Sequence, residues 1–252
     1  MFRLPVGGIV VRLRPPTGAD ELALLDVGSD TAAAVELARR LTVDGPADWL
    51  SVTPTDLDAF VLQMRRAMIG AHVRTDVTCP ASNCGQRIDI AFQVADYLAS
   101  RIPAMPNEAT PDSESGWFQL KNVRFRLVTV GDQLAVEGLA DPAAALAQRC
   151  VMAEVPVADT VMRSIETELE RMAPNLAGPV SGQCPECGAD VEAFFDPRSY
   201  CLAELRCRAR FVFRDVDAIA RRYHWPERAV LELPSARRAM YAELARRPNS
   251  AG

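Results

Sequence analysis

The sequence predicts an α+β protein: a small β-sheet with a core of two cysteine knuckles, flanked by amphipathic helices and a mostly helical C-terminal region. Two motifs of one form, Cys-Pro followed by Cys-Gly, predict the knuckles. Alternating apolar segments predict strands, and apolar residues at spacings of three and four predict helices. With 252 residues, 49% of them apolar and 24% charged, the chain is long enough for one large or two modest domains.

Apolar periodicity and helix-start residues place the elements along the chain. The predicted elements, in order, are a strand or strand pair over 2–14, helices over 19–25, 31–41 and 54–69, a strand over 72–77, two strands or one bulged strand over 118–130, helices over 141–152 and 159–172, a loop over 174–182, a helix over 197–223, and two short helical pieces divided by Pro226 and Pro234.

Two of these helices have the clearest start signals. Thr53 and Pro54 suit the N-cap and the first helical position, and Gly70 marks the end of that helix. Asp196 and Pro197 give a second start of the same kind. An unbroken apolar stripe then runs along the long helix, at Leu202, Leu205, Ala209, Val212, Val216, Ile219 and Tyr223.

The same patterns predict four regions. The first, 1–102, holds the N-terminal strands, helices and first cysteine motif, and 103–116 is a linker or exposed loop rich in proline, serine and acid. Residues 117–195 hold the central strands, helices and second motif, and 196–252 form a helical C-terminal arm.

Charge and composition exclude several classes of protein. The net charge is -5, which argues against a protein built throughout to bind nucleic acid, although 198–252 alone hold 12 Arg against 6 Asp and Glu. No apolar run approaches the ~18 residues of a membrane span. The N-terminus lacks the features of a signal peptide, so we expect a cytoplasmic protein with reduced thiols.

The cysteine motifs are the most specific feature. CPASNCG covers 79–85 and CPECG covers 184–188. Glycine permits a left-handed backbone after the second cysteine of each turn. Because zinc takes four tetrahedral ligands, the sequence predicts one structural Zn²⁺ in a zinc-ribbon-like core. The ligands would be Cys79, Cys84, Cys184 and Cys187.

The likeness of the two motifs extends downstream. Matching residues stand four, eight and thirteen positions after the second cysteine of each motif: Ile88 with Val191, Phe92 with Phe195, and Tyr97 with Tyr200. We therefore expect two matching knuckle-plus-strand units, duplicated or convergent, that close on one ion. Two alternatives stay open: metal-free turns, and a redox-active pair at Cys184 and Cys187.

The remaining cysteines and both histidines are interpreted structurally. Cys150, Cys201 and Cys207 are predicted to be buried core thiols. His72 is a possible spare ligand, and His224 is expected to pack at a helix end. The sequence has no phosphate-binding loop, dinucleotide fingerprint, GxSxG or HExxH motif, and four thiolates leave no open zinc position. We expect no catalytic residues and no enzymatic activity.

Several segments resemble one known family, the baseplate hub assembly chaperones of T-even-type contractile phages, whose relatives occur beside phage-tail-like contractile injection systems. The resemblance runs nearly end to end, through LPVGG (4–8), RPPTGADELAL (14–24), DLDAFVLQMRRAMIG (56–70) and VRFRLVTVGD (123–132). Its most specific part is 215–244, where Ala-x-x-Tyr-His-Trp, Leu-x-Leu-Pro and Arg-Arg-x-x-Tyr follow in order. Its representatives are Tyr223, His224, Trp225, Leu233, Pro234, Arg237, Arg238 and Tyr241.

The resemblance implies a non-enzymatic assembly factor for the baseplate hub, with hub or tail-tube proteins as partners. We expect 215–244 to be the docking surface, because aromatic and arginine side chains are enriched at interface hot spots. The expected partner-binding residues are Tyr223, His224, Trp225, Arg237, Arg238 and Tyr241. The alternatives are a zinc-ribbon nucleic-acid-binding or regulatory protein, and a thiol oxidoreductase.

Overall fold

A computed structural model describes residues 1–247 and confirms the α+β class. Its helices are α1 (Gly18–Ala23), α2 (Asp30–Leu41), α3 (Pro54–Met68), α4 (Val94–Ala99), α5 (Val130–Val136), α6 (Pro142–Cys150), α7 (Asp159–Met172), α8 (Pro197–Tyr223), α9 (Glu227–Leu231) and α10 (Ser235–Arg246). Its strands are β1 (Phe2–Arg3), β2 (Val10–Leu13), β3 (Thr42–Asp44), β4 (His72–Thr78), β5 (Arg87–Gln93), β6 (Thr110–Pro111), β7 (Trp117–Leu120), β8 (Val123–Arg126), β9 (Val151–Met152), β10 (Gly178–Gln183) and β11 (Asp190–Phe195).

The chain forms two compact units, each built from separate stretches. Among the described residues, the first unit combines 1–2 and 10–45 with 198–247. The second unit combines 3–9 with 46–197, so the segment predicted as a linker, 103–116, lies inside it. Residues 248–252 of the predicted arm lie outside the described residues.

Local start signals predicted α3 and α8 correctly. The Thr53 hydroxyl accepts a hydrogen bond from the Asp56 N–H at 3.2 Å, and Pro54 is the first helical residue. The helix ends before Gly70, whose φ of 139° suits glycine. On α8 the predicted stripe is buried at Leu202, Leu205, Ala209, Val212 and Ile219.

Three predictions of secondary structure were wrong. Residues 178–182, the second half of the loop predicted over 174–182, belong to β10, because 178–183 pair with β11 in a register that joins Gln183 to Asp190. The strand predicted over 118–130 extends too far, because Val130 already begins α5, where Thr129 and Asp132 make a capping box. The helix predicted to reach Met152 ends at Cys150, and the next two residues form β9.

One order of elements occurs twice. A strand, two helices and a second strand follow one another as β2, α1, α2 and β3, and again as β8, α5, α6 and β9. The outer strands pair antiparallel in each copy, Leu13 with Thr42 and Phe125 with Val151. A helix and a cysteine hairpin then follow each copy, α3 with β4–β5 and α7 with β10–β11.

The two copies share a sequence pattern, Arg-x-x-Thr-x-x-Asp-x-Leu-Ala, which begins at Arg14 and again at Arg126. We call 10–44 and 123–152 the first and second Thr-Asp modules. In each module the arginine donates two hydrogen bonds to the aspartate, at 2.6 and 2.8 Å to Asp20 and at 2.6 and 2.9 Å to Asp132. Burial alone would raise the pKa of both aspartates, but these bonds hold it below the usual range.

Candidate metal centre

Each cysteine pair lies in the turn of an antiparallel hairpin. The strands β4 and β5 pair up to Thr78 and Arg87, and β10 and β11 pair up to Gln183 and Asp190. The turns close in the same way, since the first cysteine of each donates its N–H across the turn. Cys79 donates to Gln86 O at 2.8 Å, and Cys184 donates to Ala189 O at 2.8 Å.

The glycines after the second cysteines have the predicted left-handed conformation. Gly85 has a φ of 59° and Gly188 a φ of 72°. A β-carbon at either position would meet no atom within 4 Å. The backbone angle, rather than lack of space, therefore favours glycine in both turns.

The four predicted ligands come together, although two lie far from the others in sequence. Their sulfur atoms all lie within 4.8 Å of one another. Cys79 Sγ is 3.6 Å from Cys187 Sγ, and Cys84 Sγ is 3.7 Å from Cys184 Sγ. Four sulfurs at the ~2.3 Å Zn–S bond length are about 3.8 Å apart in a regular tetrahedron. The cluster therefore fits one tetrahedral thiolate-bound ion.

The contacts have an internal twofold relation. Cys79 and Cys184 are the first cysteines of their turns, and Cys84 and Cys187 are the second. When the two turns are exchanged, the Cys79–Cys187 contact becomes the Cys184–Cys84 contact. The two distances, 3.6 and 3.7 Å, agree with that exchange. The two hairpins thus contribute equivalent pairs of ligands.

Apolar residues of both hairpins surround the sulfurs. Ile88, Ile90 and Val191 are buried in one cluster with Cys79 and Cys184. Such surroundings keep water away from two of the four sulfurs. Cys84 is half-buried and Cys187 is exposed, so the site is open on one side.

Three of the predicted downstream matches, Phe92, Phe195 and Tyr97, form an aromatic group at the far ends of the hairpins. The rings of Phe92 and Phe195 are 5.0 Å apart, and Tyr97 lies 5.0 and 5.1 Å from them. The Tyr97 hydroxyl donates to the Leu176 carbonyl. Phe92 and Phe195, which match in sequence, therefore pack together across the two hairpins in the second unit.

The thiols differ in acidity when no cation is present. Burial would raise the pKa of Cys184, but hydrogen bonds from the N–H groups of Glu186 and Cys187 lower it to about 7. A hydrogen bond from the Ala81 N–H favours the thiolate of Cys79, yet burial and the neighbouring thiols raise its pKa to about 12. Four adjacent thiolates repel one another, so a cation that binds all four must displace protons.

The other cysteines and His72 lie outside the cluster. Cys150 and Cys201 are buried as predicted, but the prediction for Cys207 was wrong, because that residue is exposed on α8. His72 Nε2 lies 2.7 Å from Gln93 Nε2 across the hairpin. Within residues 1–247, the group of possible metal ligands contains the four cysteines and not His72.

The aromatic residues expected to bind a partner pack together in the first unit. The rings of Tyr223, Trp225 and Tyr241 lie 5.0–6.0 Å from one another. They are half-buried against a core that includes Ile219 and Val230. Each of the three side chains thus remains partly exposed to solvent.

The polar residues expected to bind a partner are divided between surface and interior. His224 is exposed and has a φ of 57°, and Arg237 is exposed. Arg238 is only 4% exposed. It donates to Glu21 Oε1 at 3.0 Å and to Asp215 Oδ2 at 3.2 Å, and therefore lies in the interior of its unit.

Sequence reasoning missed the acids of this network. Asp215 also accepts a hydrogen bond from Arg246 at 2.6 Å, which connects α8 to α10. The signal was present, because Asp215 interrupts the apolar face of α8 beside Val216, where an unpaired charge would be costly.

Comparison with protein-family models, curated proteins and solved structures finds no match. Among the described residues, no helix combines the length and the apolar composition needed to cross a bilayer. The metal centre and the repeated modules therefore stand on the geometry of this chain alone.

Proposed function

We propose that the protein is a non-enzymatic, cytoplasmic assembly factor for the baseplate hub of a contractile phage tail or injection system, with one structural Zn²⁺. The convergence of four cysteine sulfurs within 4.8 Å carries the metal assignment. The resemblance of 215–244 to the hub assembly chaperones carries the assembly role.

Donor chemistry favours zinc over the other cations of the cell. Thiolates are soft ligands that select Zn²⁺ or iron, whereas Mg²⁺ and Ca²⁺ take oxygen ligands. Four thiolates complete a tetrahedron and leave no position for a substrate or an activated water. The ion would hold the hairpins β4–β5 and β10–β11 together, which is a structural rather than a catalytic role.

Elemental analysis of the purified protein tests this assignment. We expect about one zinc per chain, and loss of that zinc in Cys84→Ser and in Cys187→Ser. Cys207→Ser is the matched control, because Cys207 is an exposed cysteine outside the cluster. Iron in place of zinc, or zinc that persists in both ligand variants, would contradict the assignment.

The proposed docking surface consists of the accessible residues of the C-terminal helices: Tyr223, His224, Trp225, Arg237 and Tyr241. Truncation of an interface anchor costs ~2 kcal/mol or more, about a thirtyfold loss of affinity. We expect Trp225→Ala with Arg237→Ala to weaken binding to the hub or tail-tube protein by at least that factor. Arg12→Ala is the control, since its side chain is 58% exposed and lies outside residues 215–244.

Co-expression with candidate hub and tail-tube proteins, followed by co-purification, tests the assembly role. Failure to bind any of them, together with normal particle assembly in cells that lack the protein, would reject it. Loss of zinc from Cys84→Ser without loss of partner binding would separate the metal proposal from the assembly proposal.

One observation favours nucleic-acid binding as a second candidate. Arg208, Arg210 and Arg214 are exposed on α8, and no ion pair engages them among residues 1–247. Phe211 and Phe213 beside them are 54% and 55% exposed. Cationic and aromatic side chains together are typical of single-strand binding surfaces. Retention on DNA that falls steeply with salt, and is lost in Arg210→Ala with Arg214→Ala, would favour this function.

A further inference from the structure

A cavity of about 300 Å³ lies in the second unit, between α6 and α7, and we call it the α6–α7 cavity. The segment before α5 and the start of α3 complete it. Its apolar lining consists of Pro54, Leu127, Val128, Leu146, Leu169 and Ala173. Leu127 and Leu169 also pack against the buried core that includes Phe125 and Ile165, so the core fixes the position of this lining.

Two glutamates of α7, Glu166 and Glu170, line the same cavity and are exposed to solvent. They stand one helical turn apart, a spacing at which like charges destabilise a helix. Glu170 accepts a hydrogen bond from the Asn175 N–H at 3.0 Å, and within residues 1–247 neither carboxylate pairs with a cation. The described lining residues include no lysine or arginine. The cavity therefore joins an apolar wall to a rim of uncompensated negative charge.

The repeat shows that the corresponding face is closed in the first module. Leu37 and Leu146 are equivalent positions. Each stands five residues before the residue that pairs with the first strand of its module, Thr42 or Val151. Leu37 is 1% exposed, whereas Leu146 is half-buried and lines the cavity. The whole helices follow the same trend, since α2 buries six residues and α6 buries only Cys150. The second module thus leaves uncovered an apolar face that the first module buries.

The chain itself shows which cation suits two neighbouring carboxylates. In the second unit Arg124 donates to Asp112 Oδ2 at 2.8 Å and to Glu114 Oε2 at 2.8 Å. Arg238 likewise bridges two acids of the first unit. A guanidinium suits such pairs because its planar fork presents five donors in fixed directions, and its hydrocarbon stem packs on apolar surface. An arginine side chain therefore matches both the wall and the rim of the α6–α7 cavity.

We propose that the α6–α7 cavity binds the arginine side chain of a partner protein, with its stem against Leu146 and its guanidinium between Glu166 and Glu170. A free amino acid fits less well, because its α-carboxylate would lie near two glutamates and meet no cation in the described lining. An arginine within a polypeptide has no such carboxylate. The site belongs to the second unit, whereas the aromatic docking surface belongs to the first, so this proposal does not depend on the assembly role.

Titration of the full-length, zinc-loaded protein with Nα-acetyl-arginine methylamide, followed by heteronuclear NMR, tests the proposal. This probe carries the guanidinium and the two flanking peptide groups of an arginine within a chain. We expect saturable binding with a dissociation constant on the order of 1 mM, and shifted amide signals confined to α6, α7 and the segment before α5. The citrulline analogue has the same shape without the charge, so it should bind at least about tenfold more weakly. No binding, equal binding of both probes, or shifts centred elsewhere would overturn the proposal.

Glu166→Gln with Glu170→Gln removes the charge of the rim and keeps its shape. We expect this double variant to bind the arginine probe at least about tenfold more weakly than the wild type and the citrulline probe equally well. Glu108→Gln with Glu154→Gln is the matched control, because it makes the same change in net charge at two exposed glutamates of the same unit outside the cavity. Equal weakening by the control pair would show a general effect of charge and reject the site.

Leu146→Trp tests the apolar wall, because the larger ring would occupy the place of the arginine stem. We expect it to abolish binding of the arginine probe, and binding that persists would reject the cavity as the site. If this variant fails to fold, the glutamate pair still decides the question. Two further probes distinguish the ligand class. Tighter binding of the lysine analogue would replace guanidinium by ammonium, and tighter binding of free L-arginine would replace a partner's side chain by a metabolite, so either result would overturn the proposal.

Discussion

The two Thr-Asp modules share one polar framework, made of the arginine, the threonine and the aspartate. They differ in the additional side chains that reinforce it. In the second module Asp132 accepts hydrogen bonds from both Arg126 and Arg149, so the framework is reinforced from inside the module. In the first module the equivalent residue is Arg40, which pairs with Glu36 instead of the aspartate. The reinforcement there comes from Arg238, which binds Glu21, the residue after Asp20.

The comparison of the two modules shows which contacts the repeated pattern determines. The arginine, threonine and aspartate set the turn from strand to helix, so they recur wherever that turn recurs. The position after the aspartate is free to change, and it is Glu21 in one module and Gln133 in the other. Only the glutamate can form an ion pair with a C-terminal arginine, so one local fold supports two different connections.

The largest effect that we predict tests the equivalence of the two hairpins. A structural zinc contributes on the order of 10 kcal/mol to a folded site. Because the hairpins contribute equivalent ligand pairs, Cys79→Ser and Cys184→Ser should lower the thermal midpoint by similar, large amounts. Thermal unfolding with and without a chelator measures this effect. A large loss for one variant and none for the other would show that a single hairpin holds the ion.

The next largest effect is a difference in stability between equivalent variants of the two modules. Asp132→Ala leaves Arg126 and Arg149 without their common acceptor, and removal of one partner from a buried ion pair costs about 3–5 kcal/mol. Asp20→Ala deprives one arginine rather than two, and that arginine, Arg14, is 39% exposed, so we expect a smaller loss. Urea unfolding of both variants gives the two free energies, and equal losses would contradict the role assigned to Arg149.

The same carboxylates should make stability depend on pH. Asp20 and Asp132 have pKa values below the usual range in the folded state, whereas an unfolded aspartate titrates near ~3.9. A depressed folded pKa stabilises the protein above the unfolded pKa, and that contribution is lost as pH falls below about 4. We expect the unfolding free energy to fall as the pH is lowered from about 5 to about 2, most steeply below about 4. The double variant Asp20→Asn with Asp132→Asn should show a shallower fall, and an unchanged slope would reject this explanation.

The sequence predicted the parts of the molecule that local chemistry determines. The two cysteine turns, the cap of α3 and the extent of α8 follow from residues a few positions apart. The strand β10 was missed because its partner, β11, lies beyond the cysteine turn, and its glycine and proline gave no strand signal. The burial of Arg238 was also missed, since it depends on Glu21, more than 200 positions earlier in the chain.

The repeat itself was only half predicted. The downstream matches of the cysteine motifs predict two matching hairpins, but the element predictions do not connect Arg14 with Arg126. The first copy of the Arg-x-x-Thr-x-x-Asp pattern lies between a predicted strand and a predicted helix, and the second lies at the end of the strand predicted over 118–130. Comparing RPPTGADELA with RLVTVGDQLA would have predicted α5, because the first copy had a recognised helix start and the second did not.

A smaller effect tests the close contact between α1 and residues 231–238. A β-carbon on Gly18 would lie 2.9 Å from Arg238 Nη1 and 3.3 Å from the backbone of Leu231. Overpacking of this kind costs about 1–3 kcal/mol, so Gly18→Ala should destabilise the protein. Gly28→Ala is the matched control, because nothing lies within 4 Å of a β-carbon there. Equal stability of the two variants would show that residues 231–238 can shift without a loss of unfolding free energy.

The smallest effect compares the two capping threonines. Thr17 and Thr129 each donate from the hydroxyl to the module's aspartate, at 2.9 and 2.8 Å. The Thr129 hydroxyl also accepts from the Asp132 N–H at 3.2 Å. Because loss of an N-cap side chain costs ~1 kcal/mol, Thr129→Ala should destabilise by about that amount and Thr17→Ala by no more. Serine keeps the hydroxyl, so Thr129→Ser should recover most of the loss in urea unfolding. If serine fails to do so, the methyl group rather than the cap is what the second module requires.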